Sequence, residues 1–103
     1  MKVTLFIDTS AVDTARVQLT VNGEEFEKKK ESKVMKSQTL LPLIEEVLSE
    51  HSLTFSDITD ISVVLGPGSF TGLRVGCTVA NVLGLLLQVP VNGKRDIATP
   101  VYS

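Results

Sequence analysis

Residues 65–76 read LGPGSFTGLRVG, from Leu65 to Gly76, and this stretch decides the fold class. On its N-terminal side Ile61-Ser62-Val63-Val64-Leu65 is an uncharged run of strand length. On its C-terminal side the spacing predicts a helix from about Phe70 to Gln88. A strand therefore enters a glycine-rich turn and a helix leaves it. In that setting backbone N–H groups at the helix N-terminus are able to hold a phosphate. The spacing is not that of a Walker loop, because no Gly-Lys-Ser/Thr closes it. Nor is it the dinucleotide fingerprint, since Thr71 stands where the third glycine belongs. From the residues alone two readings stay open: a tight turn that needs glycine backbone freedom, or an anion site.

The helix that follows carries more information. Gly72, Gly76, Ala80 and Gly84 recur every four residues and form one ridge of small side chains. Such a ridge lets a strand, a helix or a partner chain approach closely. Each interior glycine also costs about 1 kcal/mol relative to alanine, so packing has to offset the loss. Val75, Val79, Val82, Leu83, Leu86 and Leu87 fill most of the remaining surface, leaving Arg74, Thr78, Asn81 and Gln88 as a polar strip. Arg74 is the one charge between Ile61 and Val91. A helix this apolar is expected to be buried on two sides.

Upstream, Val3–Ile7 reads as a short buried strand. Ala15, Val17, Leu19 and Val21 alternate with polar residues, the mark of a strand with one buried face. Asn22-Gly23 is a strong two-residue hairpin signal. The strand after it, about Glu24 to Val34, is highly charged, as suits an edge protected against pairing with other chains. From Ser37, a candidate N-cap, the period becomes helical. Leu40, Leu41, Leu43, Ile44, Val47 and Leu48 cover an arc of ~160°, with Pro42 in the early turns. A loop over about Glu50–Thr59 leads to the Ile61 strand, and Val89–Val91 offers a last short strand. The expected fold is α/β, a mixed five-stranded sheet with two main helices. Its domain spans residues 1–93, and 94–103 form a polar tail.

The chain has 103 residues, a formal net charge of −2 and 43% apolar content, enough for one core. Five aromatic residues and no Trp make that core aliphatic. The near-neutral balance argues against nucleic-acid binding by the whole surface. Cys77 alone excludes an internal disulfide and paired-cysteine zinc sites, and points to the cytoplasm. The apolar tract Val75–Val89 is shorter than the ~18–20 residues that span a bilayer, so no membrane role is expected.

Candidate chemistry is sparse. Asp8, at the end of the first strand, stands where a metal-linked acid or a simple turn carboxylate fits equally well. With Gly66, Gly68 and Ser69 it makes the candidate nucleotide- or phosphate-binding set. Ser69 and the lone His51 lack the constellation of a Ser/His hydrolase, and His51 is better placed to meet helix C-terminal carbonyls. No His pair is present to build a metal site. Lys28, Lys29, Lys30, Lys33 and Lys36 are interleaved with glutamates, as on a solvated edge.

Three segments, LFIDTS at Leu5–Ser10, KSQTLLPLIEEVL at Lys36–Leu48 and LGPGSFTGLRVG at Leu65–Gly76, together resemble the bacterial TsaB (YeaZ) family. That family of tRNA threonylcarbamoyladenosine biosynthesis proteins is also called glycoprotease-like. The resemblance runs from about Val3 to Gly93. It implies the N-terminal half of an actin-like (ASKHA, ribonuclease-H-like) fold, whose usual second domain this chain is too short to hold. It also implies a catalytically silent subunit in the N6-threonylcarbamoyl modification of adenosine 37 of tRNA. ATP and metal are expected on a TsaD-type catalytic partner, none on this chain, with tRNA met only indirectly. Pairing with that partner, or as a homodimer, is expected through Leu40, Leu43, Ile44 and Val47 of the first helix and Val75, Val79, Val82 and Leu86 of the second. A peptidase, suggested by the older name, has no residues to support it. The alternative is a nucleotide- or phosphate-binding half domain.

Overall fold

The computed structural model describes residues 1–31 and 37–94. Strands β1 (Val3–Asp8), β2 (Thr14–Val21) and β3 (Glu24–Glu31) precede helix α1 (Ser37–Ser49); strand β4 (Asp60–Val63) and helix α2 (Phe70–Leu87) follow. The sheet has the order β3-β2-β1-β4, with β4 parallel to β1 and the other pairs antiparallel. Asn22 and Gly23 both take positive φ (50° and 91°), the type I′ geometry that matches the twist of the paired strands. Ser37, expected as the N-cap of α1, is the first residue of the helix itself, while the end of the third strand at Val34, Lys33, Lys36 and the tail beyond Lys94 lie outside the described residues.

Strand alternation sets the layers. Val3, Leu5 and Ile7, Ala15, Val17 and Leu19, and Ile61 and Val63 share one face, and the register confirms the rows: Leu5 stands beside both Leu19 and Ile61. Both helices pack on this face and join the same core, Leu40, Leu43, Ile44, Val47 and Leu48 from α1, and Cys77, Val79, Ala80 and Leu83 from α2. The opposite face, with Thr4, Phe6, Arg16 and Gln18, is half-buried under its own side chains. On the helix side Lys28 of β3 pairs with Glu46 of α1 and with Glu50 just past its end. His51 sits just past α1, its Nδ1 2.8 Å from the Val47 carbonyl oxygen and its ring 3.8 Å from that of Phe26. This agrees with the helix-end role expected for it.

The expected fifth strand is a correction. Val89–Val91 lies at the right edge, but only Val91 bridges Ile61, in parallel. Asn92 takes φ 53° and Gly93 φ 78°, which turns the backbone away after one residue, so Lys94 pairs back onto Val91. The sheet among the described residues has four strands.

Candidate functional site

The glycine-rich loop meets the end of β1, and Thr9 and Ser10 join them. Thr9 is fully buried and its hydroxyl donates to the Gly72 carbonyl oxygen at 2.6 Å. That hydroxyl lies in a notch cut by glycines. A Cβ added at Gly76 would stand 2.2 Å from Thr9 Oγ1, and one at Gly72 only 2.1 Å from the Thr9 carbonyl oxygen. At the far end of α2 a Cβ on Gly84 would meet Val91 Cγ2 at 2.6 Å. The ridge read from the sequence therefore faces this chain's own Thr9, just past β1, and Val89–Val91, and no partner is needed to explain it.

Ser10 ties Asp8 to the loop. Its N–H and hydroxyl donate to Asp8 Oδ1 (3.0 and 2.6 Å), while its carbonyl accepts the Ser69 N–H at 2.7 Å. The same carbonyl would lie 2.6 Å from a Cβ on Gly68. Arg16, directly opposite Asp8 in the β1–β2 register, donates to Asp8 Oδ2 at 3.2 Å and to Glu27 at 3.2 Å. Its guanidinium also lies 5.4 Å from the Phe6 ring centroid. Burial alone would raise the Asp8 pKa, but the hydrogen bonds from Ser10 and the charge and hydrogen bond of Arg16 outweigh it, and the net shift is downward.

At the N-terminus of α2, Ser69 is the N-cap and its hydroxyl accepts the Gly72 N–H at 3.3 Å. The Leu73 N–H goes to the Ser69 carbonyl at 2.8 Å. Of the candidate phosphate set, Asp8, Gly68 and Ser69 thus converge on Ser10. Their polar groups are engaged within the chain: the Asp8 carboxylate by Ser10 and Arg16, the Ser69 N–H by Ser10, the Gly72 N–H by Ser69. Gly66 takes φ 135° at the start of the same loop, ahead of a cis bond to Pro67. Among the described residues no group of three or more His, Cys, Asp or Glu gathers as metal ligands.

Sequence reading missed Arg16 and the peg role of Thr9. Alternation along β2 turns Arg16 away from the core, which was a usable signal, and the structure shows Asp8 on the same outer face. Their direct opposition depends on a register set by the loop between β1 and β2, which alternation does not reveal.

The eight residues expected at a partner surface separate sharply. Leu40, Leu43, Ile44, Val47 and Val79 are buried in this chain's core, and Val75 is partly buried against it. Val82 and Leu86 remain outside, 49% and 72% exposed, joined by Leu85 at 80% and Phe70 at 55%. Leu41 is the exposed large apolar side chain of α1. The second helix is therefore buried on one side and open on the other. By length and composition α2 is the one described helix apolar enough to cross a membrane. Eight of its residues are buried within the chain.

A mixed four-stranded sheet with one helical layer, and a Gly-rich loop tied to the end of the first strand, make an α/β domain. A family model described as TsaD, tRNA N6-adenosine threonylcarbamoyltransferase, matches residues 30–97. The tRNA threonylcarbamoyladenosine biosynthesis protein TsaB of Escherichia coli (strain K12) is 33% identical over 63 residues, 61% of this chain and 27% of that protein. The TsaB protein of Buchnera aphidicola subsp. Baizongia pistaciae is 31% identical over 90 residues, 87% of this chain and 40% of its own length. The solved structure of YeaZ from Pseudomonas aeruginosa superposes with a TM-score of 0.81 at 32% identity, covering 88% of this chain and 42% of that one. The chain belongs to this TsaD-related family as a TsaB (YeaZ) member. It spans less than half the length of these relatives.

Proposed function

We propose that this chain is the actin-like half of a non-catalytic partner subunit in tRNA threonylcarbamoyladenosine biosynthesis, working in the cytoplasm. It pairs through its helix layer with a TsaD-type catalytic subunit, which carries ATP and metal, or with a second copy, and meets tRNA only through that assembly. The observation that carries this reading is the exposed apolar end of α2. Val82, Leu85 and Leu86 lie within an arc of about 100° on a helix whose other side is already spent on the core. Three large aliphatic side chains side by side in water are an interaction surface rather than scattered exposure.

The burial pattern also selects the variants. Val79→Glu would place a charge in the core and destabilise the chain itself, so Val82→Glu, Leu85→Glu and Leu86→Glu are the informative changes. Co-purification with the TsaD-type subunit, and light scattering of the chain alone, should both show assembly that these variants abolish. Unchanged assembly of a folded Leu85→Glu/Leu86→Glu chain overturns the reading. Calorimetric binding of ATP with Mg²⁺ to the chain alone would instead favour the half domain built on Asp8, Gly66, Gly68 and Ser69.

A further inference from the structure

The tripeptide Val-Asn-Gly occurs twice in this chain, at Val21–Gly23 and at Val91–Gly93. Both copies form the same two-residue turn. Asn22 and Gly23 take φ 50° and 91°, and Asn92 and Gly93 take 53° and 78°. Val21 pairs antiparallel with Glu24 across the first turn, and Val91 with Lys94 across the second. Both asparagines are exposed. What differs is the hold on the carboxamide. Asn92 Oδ1 accepts the Val63 N–H at 2.8 Å and Asn92 Nδ2 donates to the Val63 carbonyl at 3.1 Å. A carboxamide presents an acceptor and a donor in one plane, so Asn92 pairs with β4 as a fifth-strand residue would. Asn22 Oδ1 accepts one surface bond, from the Lys2 N–H at 3.2 Å, and among the described residues its Nδ2 has no partner.

An Asn-Gly step is open to an intramolecular reaction, because glycine carries no side chain to shield its nitrogen. That nitrogen gives up its proton to hydroxide and attacks the asparagine Cγ. The new N–C bond closes a cyclic imide as the bond to Nδ2 breaks, and the departing nitrogen takes a proton from water and leaves as ammonia. Water then opens the imide at either carbonyl, leaving aspartate or isoaspartate. Attack comes from above the carboxamide plane, so the side chain must turn that face to the glycine nitrogen. We propose that Asn22-Gly23 is a site of spontaneous deamidation in the folded chain, and that the two hydrogen bonds to Val63 protect Asn92-Gly93 from the same reaction. Turning Asn92 breaks both bonds and leaves two backbone groups of β4 unpaired, whereas turning Asn22 breaks one exposed bond. An isoaspartate at position 22 runs the chain through the side-chain carbon and so lengthens the turn that joins β2 to β3.

Because the two tripeptides are identical, each is the control for the other. The chain is kept at mildly alkaline pH, either folded or in urea. Peptide mapping by mass spectrometry follows the change from carboxamide to carboxylate at each site. In the folded chain Asn22 is expected to convert at least about tenfold faster than Asn92, and in urea the two rates should agree within about twofold. Equal conversion of the two sites in the folded chain, no conversion of Asn22 while the chain is folded, or a gap that persists undiminished in urea overturns the proposal. Neither turn belongs to the helix layer, so the result stands apart from the assembly reading.

Discussion

Thr9 and Gly76 show how a single contact holds two layers together. The hydroxyl of Thr9 fills the space that any larger residue at Gly76 would occupy. Gly76→Ala should therefore destabilise the chain by about 1–3 kcal/mol in urea unfolding, despite its gain in helix propensity. The double variant Gly76→Ala/Thr9→Ala should lose less than the sum of the two single changes, because both act on one contact. Asp8 makes a second prediction. Its folded-state pKa lies below the ordinary 3.8, so the folded chain binds fewer protons there than the unfolded chain. Its contribution is whole above the unfolded value and is lost as pH falls through the folded value. The urea midpoint should thus drop on acidification below pH ~4, and Arg16→Gln should make that drop shallower. The pair Asp8–Arg16 was only half legible in the sequence. Arg16 shows by alternation which face it takes, but Asp8 ends a run read as buried, and no local rule gives the register between β1 and β2.

Helix α1 and helix α2 differ in how much their sequences disclose. The apolar arc of α1 has a polar counterpart, so its buried face, Leu40, Leu43, Ile44, Val47 and Leu48, follows from the helical period alone. That same arc was assigned to a partner surface, and the structure gives it to the sheet. Helix α2 is apolar nearly all round, and its period cannot say which side faces in. The small-residue ridge decides, since only that side admits the close approach of Thr9 and Val91. Leu85→Glu or Leu86→Glu should shift stability by no more than about 0.5 kcal/mol. Val79→Glu should cost about 3 kcal/mol or more, read from denaturant midpoints. The contrast checks the assignment of the two sides without any partner present.

Across the described residues, one helical layer covers one face of the sheet, and a single aliphatic core runs between them. Cys77 lies within that core, and burial raises its thiol pKa. A thiol reagent should leave the folded chain unmodified, and modification should follow global unfolding as denaturant is added. Rapid labelling under native conditions would mean that α2 opens separately from the sheet. The chain spans less than half the length of its relatives, yet among its described residues no buried side-chain nitrogen or oxygen lacks a partner. Its unmet requirement is apolar and lies on α2, which is why assembly is the function proposed for it.

By itself the sequence determined the elements: the strand run of β1, the alternation of β2, the Asn22-Gly23 turn, the amphipathic arc of α1, and the strand–turn–helix around Gly66–Gly72. Those features arise from interactions a few residues apart, so local pattern suffices. Only the tertiary structure decided the inner side of α2, the opposition of Asp8 and Arg16, and the replacement of a fifth strand by one bridge and the Asn92 carboxamide. Each depends on groups between 7 and 67 positions apart in the chain, brought together by close packing. Periodicity gives the faces an element has; steric fit between distant segments chooses which of them is buried.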